Sequence, residues 1–400
     1  MRARLLATGL LTAVVTAVVA VGLPASQAAG AQTISPPKED PFYQPPAGYE
    51  SLAPGTLLRS REVTVTGLGI PIPVRSWQTL ARSTDATGRP TTVASTLMVP
   101  LQPYFGGKRP LLSYQTAIDS LGDQCNPSYT LRTGTEKELP LIALGVLRGW
   151  AVVVSDYQGP RDAYGAGPME GHGVLDGIRA VEQLSGTGLS GVGTPVGLLG
   201  YSGGGLATSS AAELVPGYAP ELNVKGIASG GTPADLRAAG RQMDGGPFSG
   251  LFLAASVGLS REYPEILTLM NDAGRAMVER ANDMCVAEEA ATFAFRRLSE
   301  FTTVPDPLSH PVVANVLSKV ELGKVTPPAP VYLYHSRFDE LIPYPGVQAL
   351  ARNYCAHGGK VQFYTDFLSE HNVLAVTGAP AAVAYLGDRF AGRAAPSNCG

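Results

Sequence analysis

The stretch "GYSGGG", residues 200–205, sets one serine, Ser202, among four glycines, directly after the short apolar run "PVGLL". Gly200-x-Ser202-x-Gly204 satisfies G-x-S-x-G, the pattern of a serine held on a sharp strand-to-helix turn. An ordinary Gly-rich turn would match it too. The predicted strand before it and the helix start "GGLATSSAAELV" after it favour the nucleophile. At that turn a side chain at 200 or 204 would collide, and glycine removes the collision. The Gly203 N–H then faces the oxygen of a bound acyl group, with the helix N-terminus adding favourable potential.

A serine hydroxyl attacks carbonyl carbon only when a base takes its proton. The chain has five histidines, His172, His310, His335, His357 and His371. His371, in "DFLSEHNVL", follows the last predicted strand and falls at the edge where the elbow lies. It also leaves room for an acid between serine and histidine, the chain order of this kind of triad. His335 ends the strand "VYLYH" and also faces that edge, whereas His357 precedes the last strand. His172 and His310 read as surface or structural groups. The loop "YHSRFDELIP" offers Asp339 as the acid that orients His371, with Glu340 as a solvated neighbour. Asp366 and Glu370 lie on the histidine's own strand and loop and are weaker candidates. A second N–H for the oxyanion belongs in the loop after "PLLSYQTA". There the backbone of Asp119 is a candidate, although an ordinary turn aspartate would look the same.

These residues need a scaffold that gathers them. From about residue 109, short apolar runs alternate with helical stretches: "RPLLSYQTA", "GWAVVVSDY", "PVGLLGYS", "VKGIASGG", "APVYLYHS" and "KVQFYTDF". This is the texture of buried strands in a mostly parallel sheet. In "GHGVLDGIRAVEQL", Val174, Leu175, Ile178, Val181 and Leu184 recur at helical spacing and predict a crossover helix. Residues 45–100 read as strands separated by turns. About 90 residues between "IASGGTPAD" and "APVYLYHS" exceed what a strand-helix-strand connection needs. They read as a helical cap, 233–325, inserted into a core of 32–232 and 326–400. Leu251, Phe252, Leu253, Ile266, Leu267 and Leu269 are its candidates to cover an acyl chain, although such spacings mostly serve helix packing.

Arg2 and Arg4 precede an apolar run and small residues near 26–31, the layout of a secretory signal peptide over 1–31. A membrane anchor is the alternative; the small-residue ending and the Pro-rich "QTISPPKEDPFYQPP" favour cleavage, which leaves no transmembrane anchor and an extracellular protein. Hydrophobic residues make up 44%, charged residues 16%, and the net charge is -3. That balance gives no basic surface for nucleic acid. Cys125, Cys285, Cys355 and Cys399 suggest two disulfides, with three pairings open. The absence of CxxC or Cys/His clusters argues against structural zinc.

Together "SYQTAIDSLGDQCNPSY", "VVVSDYQGPRDAYGAGPMEGHGVLDGIRA", "LLGYSGGGLAT", "GGTPADL" and "YHSRFDELIPY" resemble the secretory lipases, the lipase-A-like exported enzymes of fungi and actinobacteria. The likeness spans about 40–399. It implies an α/β-hydrolase core with a helical cap after the sixth strand, and a triacylglycerol lipase or broad carboxylic-ester hydrolase. It implies Ser202, Asp339 and His371 as the triad, and the N–H groups of Gly203 and Asp119 as the oxyanion hole. It further implies the pairs Cys125–Cys285 and Cys355–Cys399. The expected partner is a fatty-acyl ester at a lipid–water interface, met by a monomer that needs no metal or organic cofactor. A peptidase, an acyltransferase on cell-envelope lipids and a silent lipid-binding protein are the competing readings.

Overall fold

The structure, a computed structural model, describes residues 34–400, so the expected signal peptide lies outside the described residues. β1 (Leu57–Val63) opens the chain's main sheet, and a small hairpin of β2 (Thr66–Gly67) and β3 (Ile70–Pro71) follows it. Next come β4 (Val74–Thr84), β5 (Pro90–Pro100) and β6 (Leu111–Gln115). α1 (Pro127–Thr133) and α2 (Leu139–Leu147) lead to β7 (Ala151–Ser155), and α3 (Gly167–Glu182) crosses back to β8 (Val196–Tyr201). α4 (Gly203–Tyr218) then leads to β9 (Val224–Gly230).

The interval read as an insertion holds α5 (Leu236–Met243), α6 (Ser249–Glu262), α7 (Asp272–Ala281), α8 (Val286–Thr292) and α9 (Pro311–Val320). β10 (Val331–Ser336), α10 (Tyr344–Ala356), β11 (Val361–Asp366) and α11 (His371–Phe390) complete the fold. The nine-stranded sheet runs β1-β4-β5-β7-β6-β8-β9-β10-β11. β1, β4 and β5 pair antiparallel, as do β5 and β7; from β7 to β11 every neighbouring pair is parallel. This is the α/β-hydrolase fold. The insertion follows β9, the seventh strand of the sheet in chain order rather than the sixth, because the extra antiparallel strand β1 leads in.

The strands alternate between two cores, as the pleat requires. On one face Ala151, Val153, Val196 and Leu198 meet Val174, Leu175, Ile178 and Val181 of α3, the residues whose spacing predicted that helix. On the other face Val152, Val154, Leu199 and Tyr201 meet Ile142 of α2 and Leu374, Val383 and Leu386 of α11. A third cluster lies within the insertion, where Phe252, Leu253, Met277 and Phe301 pack together with Leu121, Leu341 and Ile342 from two loops of the core. Those loops carry Asp119 and Asp339, so the insertion bears directly on the candidate site. Disulfides join Cys125 to Cys285 and Cys355 to Cys399, with Cα atoms 5.7 Å and 5.3 Å apart. Among the described residues no helix is long and apolar enough to cross a membrane.

Candidate active site

β8 ends at Tyr201 and α4 begins at Gly203, leaving Ser202 alone on the turn at φ 56° and ψ −123°. Few residues with a Cβ adopt such a backbone, and it persists only where surroundings over-determine it. Here the Ser202 N–H donates to Gly230 O at 2.9 Å, and Ser202 O accepts from Leu206 N–H at 3.0 Å. The glycines are needed for close approach. A Cβ on Gly200 would stand 2.1 Å from Gly204 O, and one on Gly204 would stand 2.0 Å from Gln115 O on β6.

Three side chains from three parallel-strand ends converge here. The Ser202 hydroxyl lies 2.9 Å from His371 Nε2, and His371 Nδ1 lies 2.6 Å from Asp339 Oδ2. Asp339 is fixed in turn: its Oδ1 accepts from the N–H groups of Leu341 and Ile342 at 3.0 and 2.7 Å. With Asp339 accepting from Nδ1–H, Nε2 carries the lone pair that faces the serine. His371 starts α11, and each of the helix's first three N–H groups has an acceptor. Glu340 Oε2 takes that of His371 at 3.0 Å, and Glu370 takes those of Asn372 and Val373 at 2.7 Å each. Glu340 is thus a brace on the histidine rather than only a solvated neighbour. Tyr201 donates its hydroxyl to His371 O at 2.7 Å, and Gln242 of α5 donates to Asp339 O at 3.1 Å.

The other histidines serve elsewhere. His335 lies buried behind the acid, with Nε2 3.0 Å from Ile342 O and 3.4 Å from Asp339 Oδ2. Burial holds its imidazole below the ordinary value, against the pull of Asp339. His172 packs on Tyr218, and burial pushes it down to about 4. His310 caps α9 by accepting from Val312 N–H at 3.3 Å, and exposed His357 sits at the end of α10 beside Asn353 O. Asp366 shapes the loop before His371 by accepting from Leu368 and Ser369 N–H.

Asp119 lies against the elbow: a Cβ on Gly203 would stand 1.8 Å from Asp119 Oδ1. Its φ of 48° places it in the left-handed region, which aspartate tolerates better than most residues. Burial raises its carboxyl, opposed by Lys137 and His371. The loop is pinned on both sides. Glu138 Oε1 accepts from Ala117 N–H at 2.8 Å, and Ser120 Oγ accepts from Val286 N–H of the insertion at 3.0 Å.

Of the apolar residues singled out for the insertion, Phe252, Ile266 and Leu269 line a narrow pocket whose only polar lining residues are Ser256 and Thr302. Leu253 is buried in the insertion's core, Leu251 is partly buried against it, and Leu267 faces solvent. No triad residue lines that pocket.

A serine, a histidine and a carboxylate hydrogen-bonded in series at the carboxyl edge of a mostly parallel sheet define a serine-hydrolase-type site on an α/β-hydrolase fold. The family follows from the chain itself. Residues 125–398 match the model of the secretory lipases, and the protein belongs to that family. A Mycobacterium tuberculosis relative named "Probable inactive lipase MT1628" is 39% identical over 371 residues, covering 89% of this chain and 83% of its own. A secreted triacylglycerol lipase of Malassezia globosa is 36% identical over 382 residues, covering 91% and 83%. The crystal structure of Candida antarctica lipase A superimposes with a TM-score of 0.85 at 27% identity, covering 92% of this chain and 89% of that one.

Proposed function

We propose that this protein is an exported ester hydrolase that cleaves acylglycerols or other fatty-acyl esters through an acyl-enzyme on Ser202. The observation that carries this reading is the unbroken relay from Ser202 Oγ to His371 Nε2 and from Nδ1 to Asp339, at 2.9 and 2.6 Å. His371 takes the serine proton as Oγ bonds to the ester carbonyl carbon. The N–H groups of Gly203 and Asp119 hold the oxyanion that forms, each worth about 100- to 1,000-fold in rate. His371 then gives its proton to the departing alkoxide, which leaves as the alcohol. Water, losing a proton to the same nitrogen, attacks the acyl-serine; the C–Oγ bond breaks, His371 returns the proton to Ser202 Oγ, and the fatty acid leaves. Asp339 stays ionised and steadies the imidazolium. The segment 233–325 acts as the cap over the acyl chain; its packing on Leu121, Leu341 and Ile342, in the loops that carry Asp119 and Asp339, supports that role.

The name of the mycobacterial relative, a probable inactive lipase, favours a second reading, a protein of this fold without turnover. Hydrolysis of p-nitrophenyl esters separates the two. Turnover by the parent that disappears in a folded Ser202→Ala variant supports the hydrolase. Equal rates in both chains would refute it.

A further inference from the structure

The loops that carry the acid and the base also hold large apolar side chains out in water. Phe338, next to Asp339, is 63% exposed. Phe367 and Leu368, just ahead of His371, are 63% and 95% exposed. The two loops are neighbours. Ser336 Oγ accepts from Phe338 N–H and donates to Ser369 O, and Arg337 N–H donates to Asp366 O at 2.7 Å. The first turns of α11 continue the feature with Val373 and Val376, both exposed. From His371 to Gly387 the helix has no Asp, Glu, Lys or Arg, although Asn372, Val373, Val376, Thr377, Pro380, Ala381 and Ala384 all face solvent. A surface helix ordinarily charges its outer face. α7 does so with Asp272, Arg275, Glu279 and Arg280.

We propose that this rim, Phe338, Phe367, Leu368, Val373 and Val376, is the surface by which the protein docks on an uncharged lipid phase. The proposal rests on the reading of the site as a fatty-acyl ester hydrolase, because it supplies the contact that brings a water-insoluble ester to Ser202. Three features point to lipid. The rim adjoins the base and the acid, so whatever it touches lies beside the nucleophile. Its five side chains are uncharged, and the charged groups beside them, exposed Arg337 against half-exposed Glu340 and Glu370, carry both signs, which suits neutral or zwitterionic lipid better than an anionic surface. Phe338, Phe367 and Leu368 are protruding loop tips. Tips can sink into a fluid apolar medium, whereas a stable second copy of the chain needs a complementary face of about 800 Å².

The test uses the Ser202→Ala chain, so that no hydrolysis alters the lipid, and phosphatidylcholine vesicles as the probe. This chain should co-sediment with the vesicles, with an affinity indifferent to salt and to added phosphatidylglycerol. Adding Phe367→Ser and Leu368→Ser should weaken partitioning about tenfold or more. A single Leu368→Trp reporter should shift its emission to the blue on vesicle addition. In the chain that keeps Ser202, the two serine substitutions should leave kcat/KM on a soluble short-chain ester within about twofold. If the site reading fails, soluble ester turnover is absent while vesicle binding persists. The docking proposal is overturned by several outcomes: a Ser202→Ala chain that stays in the supernatant, undiminished binding by the double variant, or an unshifted reporter. It is equally overturned by loss of soluble-ester turnover in the double variant, or by a parent dimer that those substitutions dissociate.

Discussion

At the scale of single residues, the site depends on side chains that hold other side chains. His371 is set by Asp339 on its ring and by Glu340 on its backbone, with Tyr201 on its carbonyl. Glu340→Ala frees the first N–H of α11 just where the imidazole departs from the main chain. We expect kcat on a soluble ester to fall about tenfold with little change in KM. Glu340→Gln keeps an oxygen in place and should restore most of the rate, a rescue that a role in bulk folding would not give. The convergence of Ser202, His371 and Asp339 was legible in sequence because order along the chain and position relative to strands constrain it. Glu340, Tyr201 and Gln242 were not, since their roles arise from contacts between segments far apart in sequence. His335 illustrates the same limit. Its place at a strand end suited a base, but burial behind Asp339 turns its ring away from the serine.

At the scale of elements, the parallel strands were readable as short apolar runs, because both faces of the sheet are covered and no polar alternation interrupts them. The crossover helix was readable from its stripe of Val174 to Val181. The hairpin β2–β3 was not, for it is only two residues a side, half-buried on β2 and exposed on β3. The insertion is tied to the Asp119 loop by Cys125–Cys285, which closes a sequence separation of 160. Replacing both cysteines with serine should lower stability by about 2–4 kcal/mol. Thermal or denaturant unfolding checks this, and activity should fall before the core melts, since Ser120 and Leu121 lose their tether to the insertion.

At the scale of the whole molecule, buried carboxyls govern the response to pH. Burial raises Glu138, Asp156 and Asp162 to about 7, Glu182 to about 8 and Glu289 to about 9. Unfolded, each would ionise near pH 4. Between those limits the folded chain binds the extra protons. The stability these groups confer is therefore full below about pH 4 and drains away as pH rises through 7 to 9. Asp85 works the opposite way. Burial pushes it up, but the N–H groups of Arg89 and Thr87 outweigh this and hold it at about 2, so its contribution is lost only as pH falls through that value. The Tm should therefore peak at mildly acidic pH. Glu289, with neither carboxyl oxygen partnered, is the cleanest probe. Glu289→Gln should match the parent near pH 4 and gain on it progressively up to about pH 9. Equal Tm profiles for the two chains would contradict this.

The claim on which the function depends is that His371 and Asp339 make the Ser202 oxygen nucleophilic. Its most direct measurement is mass spectrometry after treatment with a fluorophosphonate, which bonds only to an activated hydroxyl. We expect one adduct, on the peptide containing Ser202, and none in a folded His371→Ala variant. An unlabelled parent, or equal labelling in the variant, would contradict it.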